Sequence, residues 1–275
     1  VTSDALGDGT LRAAMERLGL DPTVVVHAVT GSTNDDAKAL AAAGCEAGLV
    51  VVADAQTSGR GRQGNVWHSP PGQCLYFSQV LRPALRPDDA AAFSLVAGVE
   101  VARAVEELCP DLRCMLKWPN DVGVVGGDPA TFLKLGGVLV ESMVRGASIS
   151  AIVVGVGVNV RLAEVPQPLS GLATSLHAHA APPERCELAA HLARNLVRAV
   201  GAFERCGLEP WLAELARRDA LRGAHVVVGE VGGVADGVDP TGALRIVPPD
   251  GGVRTVASGH VEWDRRARVP SPSVA

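Results

Sequence analysis

Gly48-Leu49-Val50-Val51-Val52-Ala53-Asp54-Ala55-Gln56-Thr57-Ser58-Gly59-Arg60-Gly61-Arg62-Gln63-Gly64-Asn65-Val66-Trp67 is the stretch whose reading decides the architecture. Its first six residues form a short, mostly aliphatic run, the pattern of a strand over 48–53. The run leads into a loop in which glycines alternate with arginines. Sheets of α/β proteins often present ligands on such a loop, and glycine lets the backbone turn and approach a ligand closely. The guanidiniums between the glycines are fork-shaped donors suited to phosphate or carboxylate. A plain solvated turn or an RNA-binding segment fits the same residues. A Walker-type phosphate loop is excluded, because G-x-x-x-x-G-K-[ST] occurs nowhere in the chain.

Upstream, residues 24–29 read as a strand. Thr10 is expected to cap a short helix before it, and Ser32 or Thr33 a helix over 34–43 after it. Downstream come a strand over 75–81, a long amphipathic helix over 89–108, and short strands at 113–117, 122–125, 131–140 and 149–158. A turn is expected at Gly126-Gly127-Asp128-Pro129, and helices at 184–206 and 209–219. The reading is an α/β (α+β) domain over residues 1–220 built on a mixed sheet. Near residue 221 the composition becomes Val- and Gly-rich without helical periodicity. About four or five short strands over 221–264 then fit a small barrel. Residues 265–275 read as a disordered tail.

The 275 residues are enough for one large domain and a small one. Hydrophobic residues are 47% and charged residues 20%, which excludes a disordered chain, and aromatics are only 3%, so the core is aliphatic. A net charge of -5 excludes bulk attraction to nucleic acid, so any polyanion must be held locally. Between Asp54 and Asp88 the chain has no acidic residue, while Arg60, Arg62, Arg82 and Arg86 lie there, a positive spot for a small anion. The 6 cysteines show no C-x-x-C pair and no clustering with histidine, as expected for reduced thiols of a cytoplasmic protein without a structural metal. No basic leader precedes an apolar run, and no apolar stretch approaches about 18 residues, so neither secretion nor a membrane span is expected.

Several segments can carry chemistry. Gly31-Ser32-Thr33-Asn34 brings hydroxyls and free helix N–H groups to one point, useful for capping or for a ligand. Trp67 suits stacking on a purine or covering an apolar ligand, and equally a core position. In Lys117-Trp118-Pro119-Asn120-Asp121, Lys117 suits a phosphate while Asp121 holds a hydrated Mg²⁺; the alternative is an internal Lys117–Asp121 salt bridge. Lys134 lies in an otherwise apolar or glycine strand, where an ammonium needs an edge position or a buried anion. Gly136-Gly137 permits close approach of a ligand or strand. Gly155 and Gly157 share a strand face without side-chain volume, so something packs closely on it. Asn159 at that strand's end suits a ribose, a phosphate or a turn. No histidine forms a triad and G-x-S-x-G and H-E-x-x-H are lacking, so acyl chemistry here rests on positioning and charge stabilisation.

Taken in order, Gly31-Ser32-Thr33-Asn34, the loop from Gly59 to Gly64 with Trp67, Lys117-Trp118-Pro119-Asn120-Asp121, Lys134-Leu135-Gly136-Gly137-Val138-Leu139-Val140-Glu141 and the stretch from Gly155 to Asn159 resemble the biotin protein ligases, also called biotin–acetyl-CoA-carboxylase ligases. The likeness is strong over residues 24–160 and weaker towards Val256-Ala257-Ser258-Gly259-His260-Val261, which has the look of the family's final strand. The resemblance implies a catalytic domain related to class II aminoacyl-tRNA synthetases and lipoate ligases, followed by an SH3-like barrel. It implies ATP and Mg²⁺, biotin as substrate, biotinyl-5′-AMP as intermediate, and a lysine of a biotin carboxyl carrier protein as acceptor.

Carried over by residue, the resemblance makes Arg62, Lys117, Asp121 and Lys134 catalytic, with Asp121 near substrate, amine or metal. Ser32, Thr33, Asn34, Gln56, Arg60, Gly61, Lys134 and Gly137 would form the biotin side. Arg60, Arg62, Gly64, Trp67, Lys117, Asn120 and Asn159 would form the nucleotide side. Two departures stand out. Only the residues up to Thr23 precede the first strand, so the winged helix-turn-helix of bifunctional members, and DNA binding with it, is not expected; and Gly136 stands where the family commonly has a small alanine. A lipoate ligase is the nearest rival reading. A noncatalytic RNA-binding protein is a distant one, disfavoured by the acidic balance and scarce aromatics. Either a monomer or a homodimer fits.

Overall fold

Aliphatic runs short enough for a strand become strands, and segments with apolar residues at helical spacing become covering helices. The computed structural model describes residues 6–126, 131–146 and 148–268. Its helices are α1 (Asp8–Arg17), α2 (Thr33–Ala42), α3 (Ala90–Leu108), α4 (Arg185–Cys206) and α5 (Leu212–Arg218). β1 (Val24–Thr30), β2 (Val50–Gln56), β3 (Cys74–Leu81), β4 (Met115–Lys117), β5 (Asp121–Val125), β6 (Phe132–Arg145) and β7 (Ser148–Asn159) form a 7-stranded sheet in the order β1-β2-β3-β7-β6-β5-β4. β1 and β2 run parallel and every other neighbouring pair antiparallel, the expected mixed sheet.

Alternation along β2 shows how the sheet is covered. Val50 and Val52 join the main core with α1, α3 and α4, whereas Val51 packs with Ala37 and Ala41 of α2. β2 therefore is buried on both faces, as its unbroken aliphatic run requires. It also continues to Gln56, which brings that amide to the sheet's upper rim.

Several boundaries differ from the sequence reading. Thr10 lies inside α1 and does not cap it; the N-cap position is Gly7, and Asp8 in the first turn favours the helix dipole and pairs with Arg12. β6 and β7 extend beyond the expected strands into a longer hairpin, since Glu141 to Arg145 still find partners in β7. The helix expected over 209–219 begins as a 3₁₀ turn, Glu209–Trp211, before α5. Gly127, Asp128 and Pro129 of the expected turn lie outside the described residues.

β8 (Ala224–Val228), β9 (Val231–Val238), β10 (Leu244–Val247), β11 (Arg254–Val256) and β12 (Glu262–Arg268) form a second, antiparallel sheet in the order β11-β10-β9-β8-β12. β12 continues through Arg268, and residues 269–275 of the expected tail lie outside the described residues. Val226, Val228, Leu244 and Ile246 of this sheet belong to the same apolar core as α3 and α4. The Trp118 Nε1–H donates to the Gly242 carbonyl at 2.9 Å, fastening the two sheets together.

Candidate active site

The glycine-arginine segment folds as a small hairpin above the sheet. Trp67 N–H donates to Gly59 O at 2.9 Å and Gly61 N–H to Asn65 O at 2.7 Å, with Arg60 bridged to Val66. Its tip is a 3₁₀ turn, Arg62–Gly64, in which Gln63 (φ 56°) and Gly64 (φ 76°) are left-handed. Gly64 adopts this conformation freely, whereas Gln63 is strained. Gly59 is needed for space: a Cβ there would meet Ser69 Oγ at 2.6 Å and Trp67 O at 2.9 Å.

Below the hairpin, Gly137 of β6 and Gly157 of β7 stand opposite each other and form a floor of bare backbone. The Trp67 indole lies on it. A Cβ on Gly157 would come within 2.5 Å of the ring, and one on Gly137 within 3.3 Å. Gly155, on the same face of β7, is met by Asn34, whose Oδ1 would lie 2.2 Å from a Cβ there. The close packing expected on this face is thus supplied by an indole and an amide. Gly136 is tight as well, 2.7 Å from Gly157 O for an added Cβ. Trp67 Nε1 is buried with no hydrogen-bond partner among the described residues.

Charge gathers at the rim. Lys134 Nζ lies 2.6 Å from Asp121 Oδ1 and 5.2 Å from the centroid of the Trp67 ring, a cation–π contact. Lys117 is opposite Asp121 in the β4–β5 register and lines the same cavity. Arg62, at the hairpin tip, is half-buried; its carbonyl accepts from Asn65 N–H at 3.1 Å, and its guanidinium makes no hydrogen bond or ion pair among the described residues. Burial pushes its pKa down, and the Asp121 charge opposes that shift. Arg60 turns the other way and grips both oxygens of Asp35 on α2 at 2.6 Å. This pair holds the Asp35 carboxyl at about 2, against burial and with help from Lys38. The other arginines of the acid-free stretch serve elsewhere: Arg82 donates to the Ala41, Cys45 and Ser150 carbonyls, and Arg86 pairs with Asp89.

The polar walls are fixed by their own bonds. Ser32 occupies the N-cap of α2 without a side-chain capping bond. Gln56 satisfies another free N–H at that helix end, its Oε1 accepting from Thr33 N–H at 2.9 Å and from Thr33 Oγ1 at 3.2 Å, while its Nε2 donates to Ser69 Oγ at 3.2 Å. Strand β2, being longer than expected, carries Gln56 to this point. Asn34 Nδ2 donates to Glu141 Oε2 at 2.8 Å, and its Oδ1 accepts from Ser78 at 2.6 Å. Asn120 Nδ2 donates to Val138 O at 2.8 Å and Asn159 Nδ2 to Thr174 O at 2.9 Å. These amides hold neighbouring elements together around the site.

The result is a cavity of about 460 Å³, within the usual range of small-molecule pockets. Ser32, Thr33, Asn34, Gln56, Arg60, Gly61, Arg62, Trp67, Lys117, Asn120, Asp121, Lys134, Gly137 and Asn159 all line it; Gly64, at the outer tip of the hairpin, does not. Sequence reasoning missed Ser78, whose signal was the polar pair Ser78-Gln79 within a buried strand, and Ser69, which had none. It also missed the wall formed by Gly259, His260 and Val261 from the second sheet. Among the described residues no group of three or more His, Cys, Asp or Glu is placed to hold a metal ion. Asp121 is engaged by Lys134, so these donors do not fit a Mg²⁺ caged by protein.

Residues 26–159 match the model of the biotin/lipoate A/B protein ligase family. The chain is 35% identical to the biotin–acetyl-CoA-carboxylase ligase of Paracoccus denitrificans, over 81% of this chain and 93% of that protein. It is 36% identical to the same-named ligase of Mycobacterium tuberculosis, over 84% of each. A solved structure of the biotin protein ligase from Aquifex aeolicus in complex with biotin and ATP is 27% identical, covers 88% of this chain and 99% of its own, and has a TM-score of 0.73. With the hairpin, the glycine floor and the paired lysine and aspartate all in one cavity, the chain belongs to the biotin protein ligase family.

Proposed function

We infer that this cavity joins biotin to ATP as biotinyl-5′-AMP and passes the biotinyl group to a lysine of a biotin carboxyl carrier protein. The observation that carries the reading is Arg62, a half-buried guanidinium without a hydrogen-bond or ion-pair partner among the described residues, which lines the same cavity as the Lys134–Asp121 pair. A charge in that position is stabilised by an anion bound there.

In the first step a carboxylate oxygen of biotin attacks the α-phosphorus of ATP, and the bond to pyrophosphate breaks. Two anions must meet, so Arg62, Lys117 and Lys134 reduce their repulsion and stabilise charge on the non-bridging oxygens. Mg²⁺ enters with the phosphates, as suits a cation that keeps much of its water. Biotin is held beside Ser32, Thr33 and Gln56, while Trp67, lying on the glycine floor, stands with Lys117, Asn120 and Asn159 on the nucleotide side. The hairpin covers the mixed anhydride and keeps water from it. In the second step the carrier lysine's amine attacks the acyl carbonyl, AMP departs, and the amine gives up a proton. In this reading Asp121, the partner of Lys134, is the carboxylate that takes it.

The carrier protein is the macromolecular partner in this reading. The net charge of -5 supports the absence of DNA binding by this chain. A catalytic unit over 1–220, an SH3-like unit over 221–264 and a cytoplasmic site of action, where ATP and carrier proteins meet, complete it. Among the described residues no helix is long and apolar enough to cross a membrane.

Purified protein with biotin, ATP and Mg²⁺ is expected to exchange labelled pyrophosphate into ATP, with lipoate a poor replacement for biotin. Absence of biotin-dependent exchange would overturn the reading.

A further inference from the structure

The hairpin carries two arginines, and only Arg62 is uncommitted. Arg60 is held at both nitrogens by Asp35, in the first turn of α2. Asp35 is fixed in turn by Lys38 at 3.0 Å, and Lys38 by Glu141 of β6 at 2.6 Å. The backbone of Arg60 is meanwhile a rung of the hairpin, opposite Val66. One side chain therefore ties the hairpin to α2 on one bank of the cavity. Arg62, two positions on, extends towards the other bank, where Asp121 acts on it.

We propose that Asp35 is a positioning residue whose pair with Arg60 anchors the hairpin over the cavity before any ligand arrives, and so governs how long the acyl-adenylate is retained. The retention half of this inference rests on the ligase reading above; the anchoring half does not. Arg60 then works as a tether, in place of the direct biotin contact that the family resemblance implies.

The strength of the tether suits its task. Both partners remain partly in water, with 37% and 47% of their side chains exposed, so the pair is weak and screened by salt. A hairpin that must lift for substrates to enter needs a hold of this kind. A dry pair would resist opening, because each charge would be stranded when the two separate.

Amide hydrogen exchange on the ligand-free full chain tests the anchor. In Asp35→Asn the amides of Gly61 and Trp67 are expected to exchange about threefold faster than in the parent, the scale of an exposed pair. Amides of β3 should not change, and Asp35→Glu should recover most of the protection. Salt near 1 M should bring the parent towards the variant. Equal protection of Gly61 and Trp67 in parent and Asp35→Asn would overturn the anchor. So would salt-insensitive protection in the parent, a measurement that stands even if the variant fails to fold. Protein loaded with biotin and ATP is then diluted, and release of adenylate is followed. Release about threefold faster in Asp35→Asn, with the pyrophosphate-exchange kcat moved less than the KM for biotin, supports the retention role. Equal release from both proteins overturns that role alone. A parent that forms no adenylate overturns the ligase reading and leaves the exchange result to decide the anchor.

Discussion

Arg62 and Arg60 differ by one intervening glycine and have opposite fates, which shows what a motif can and cannot convey about single residues. The alternation of glycine and arginine identified both as anion donors, and Lys117, Asp121 and Lys134 were found in the same way, as charges beside aliphatic strands. Their pairings were not legible. Lys134 pairs with Asp121 at 2.6 Å across the neighbouring strands β5 and β6, a contact that the order of residues along the chain does not display. Asp35 could not be named as the partner of Arg60, since the contact joins a helix to a distant loop through a long side chain. Arg62→Ala removes a donor from the developing phosphate charge without breaking any protein bond. Biotin-dependent pyrophosphate exchange is expected to fall by roughly 100-fold, the usual effect of losing one such donor, with the unfolding midpoint unchanged. A loss below about threefold, on a scale where tenfold is about 1.4 kcal/mol, would remove Arg62 from the reaction.

At the scale of elements, the facing glycines of β6 and β7 are what let a hairpin from β2 lie flat on the sheet. The bare face of β7 was readable from Gly155 and Gly157 at alternate positions. What covers it was not, because Trp67 and Asn34 reach that face only through the order β2-β3-β7-β6. The same long-range order brings Gln56, at the extended end of β2, to the first N–H of α2, a contact that no local pattern around Ser32 displays. Gly157→Ala would place a methyl group 2.5 Å from the Trp67 ring. The indole must shift, at a cost of about 1–3 kcal/mol for overpacking, and the hairpin must shift with it. The expected result is a raised KM for biotin together with a lower unfolding midpoint. An unchanged KM would show that the indole is free to leave the floor at little cost.

Across the whole molecule, the change of composition near residue 221 marks a second set of short strands, which forms the five-stranded sheet. The two sheets share one apolar core and are fastened at Trp118, which also lines the cavity. Such docking leaves no local pattern, because it depends on which faces meet after each sheet has formed. Trp118→Phe keeps most of the apolar contact and strands the Gly242 carbonyl, so a loss of about 1–3 kcal/mol is expected. Thermal unfolding should show it as a lower midpoint, and an unchanged midpoint would mean that the fastening is replaceable. The wall contributed by Gly259, His260 and Val261 has a consequence for synthesis. A nascent chain that has delivered only the seven-stranded sheet holds the arginines, lysines and glycine floor but lacks one side of the pocket. Since domains fold as the chain emerges from the ribosome, the pocket gains its last wall only once residues 259–261 have been made and have docked.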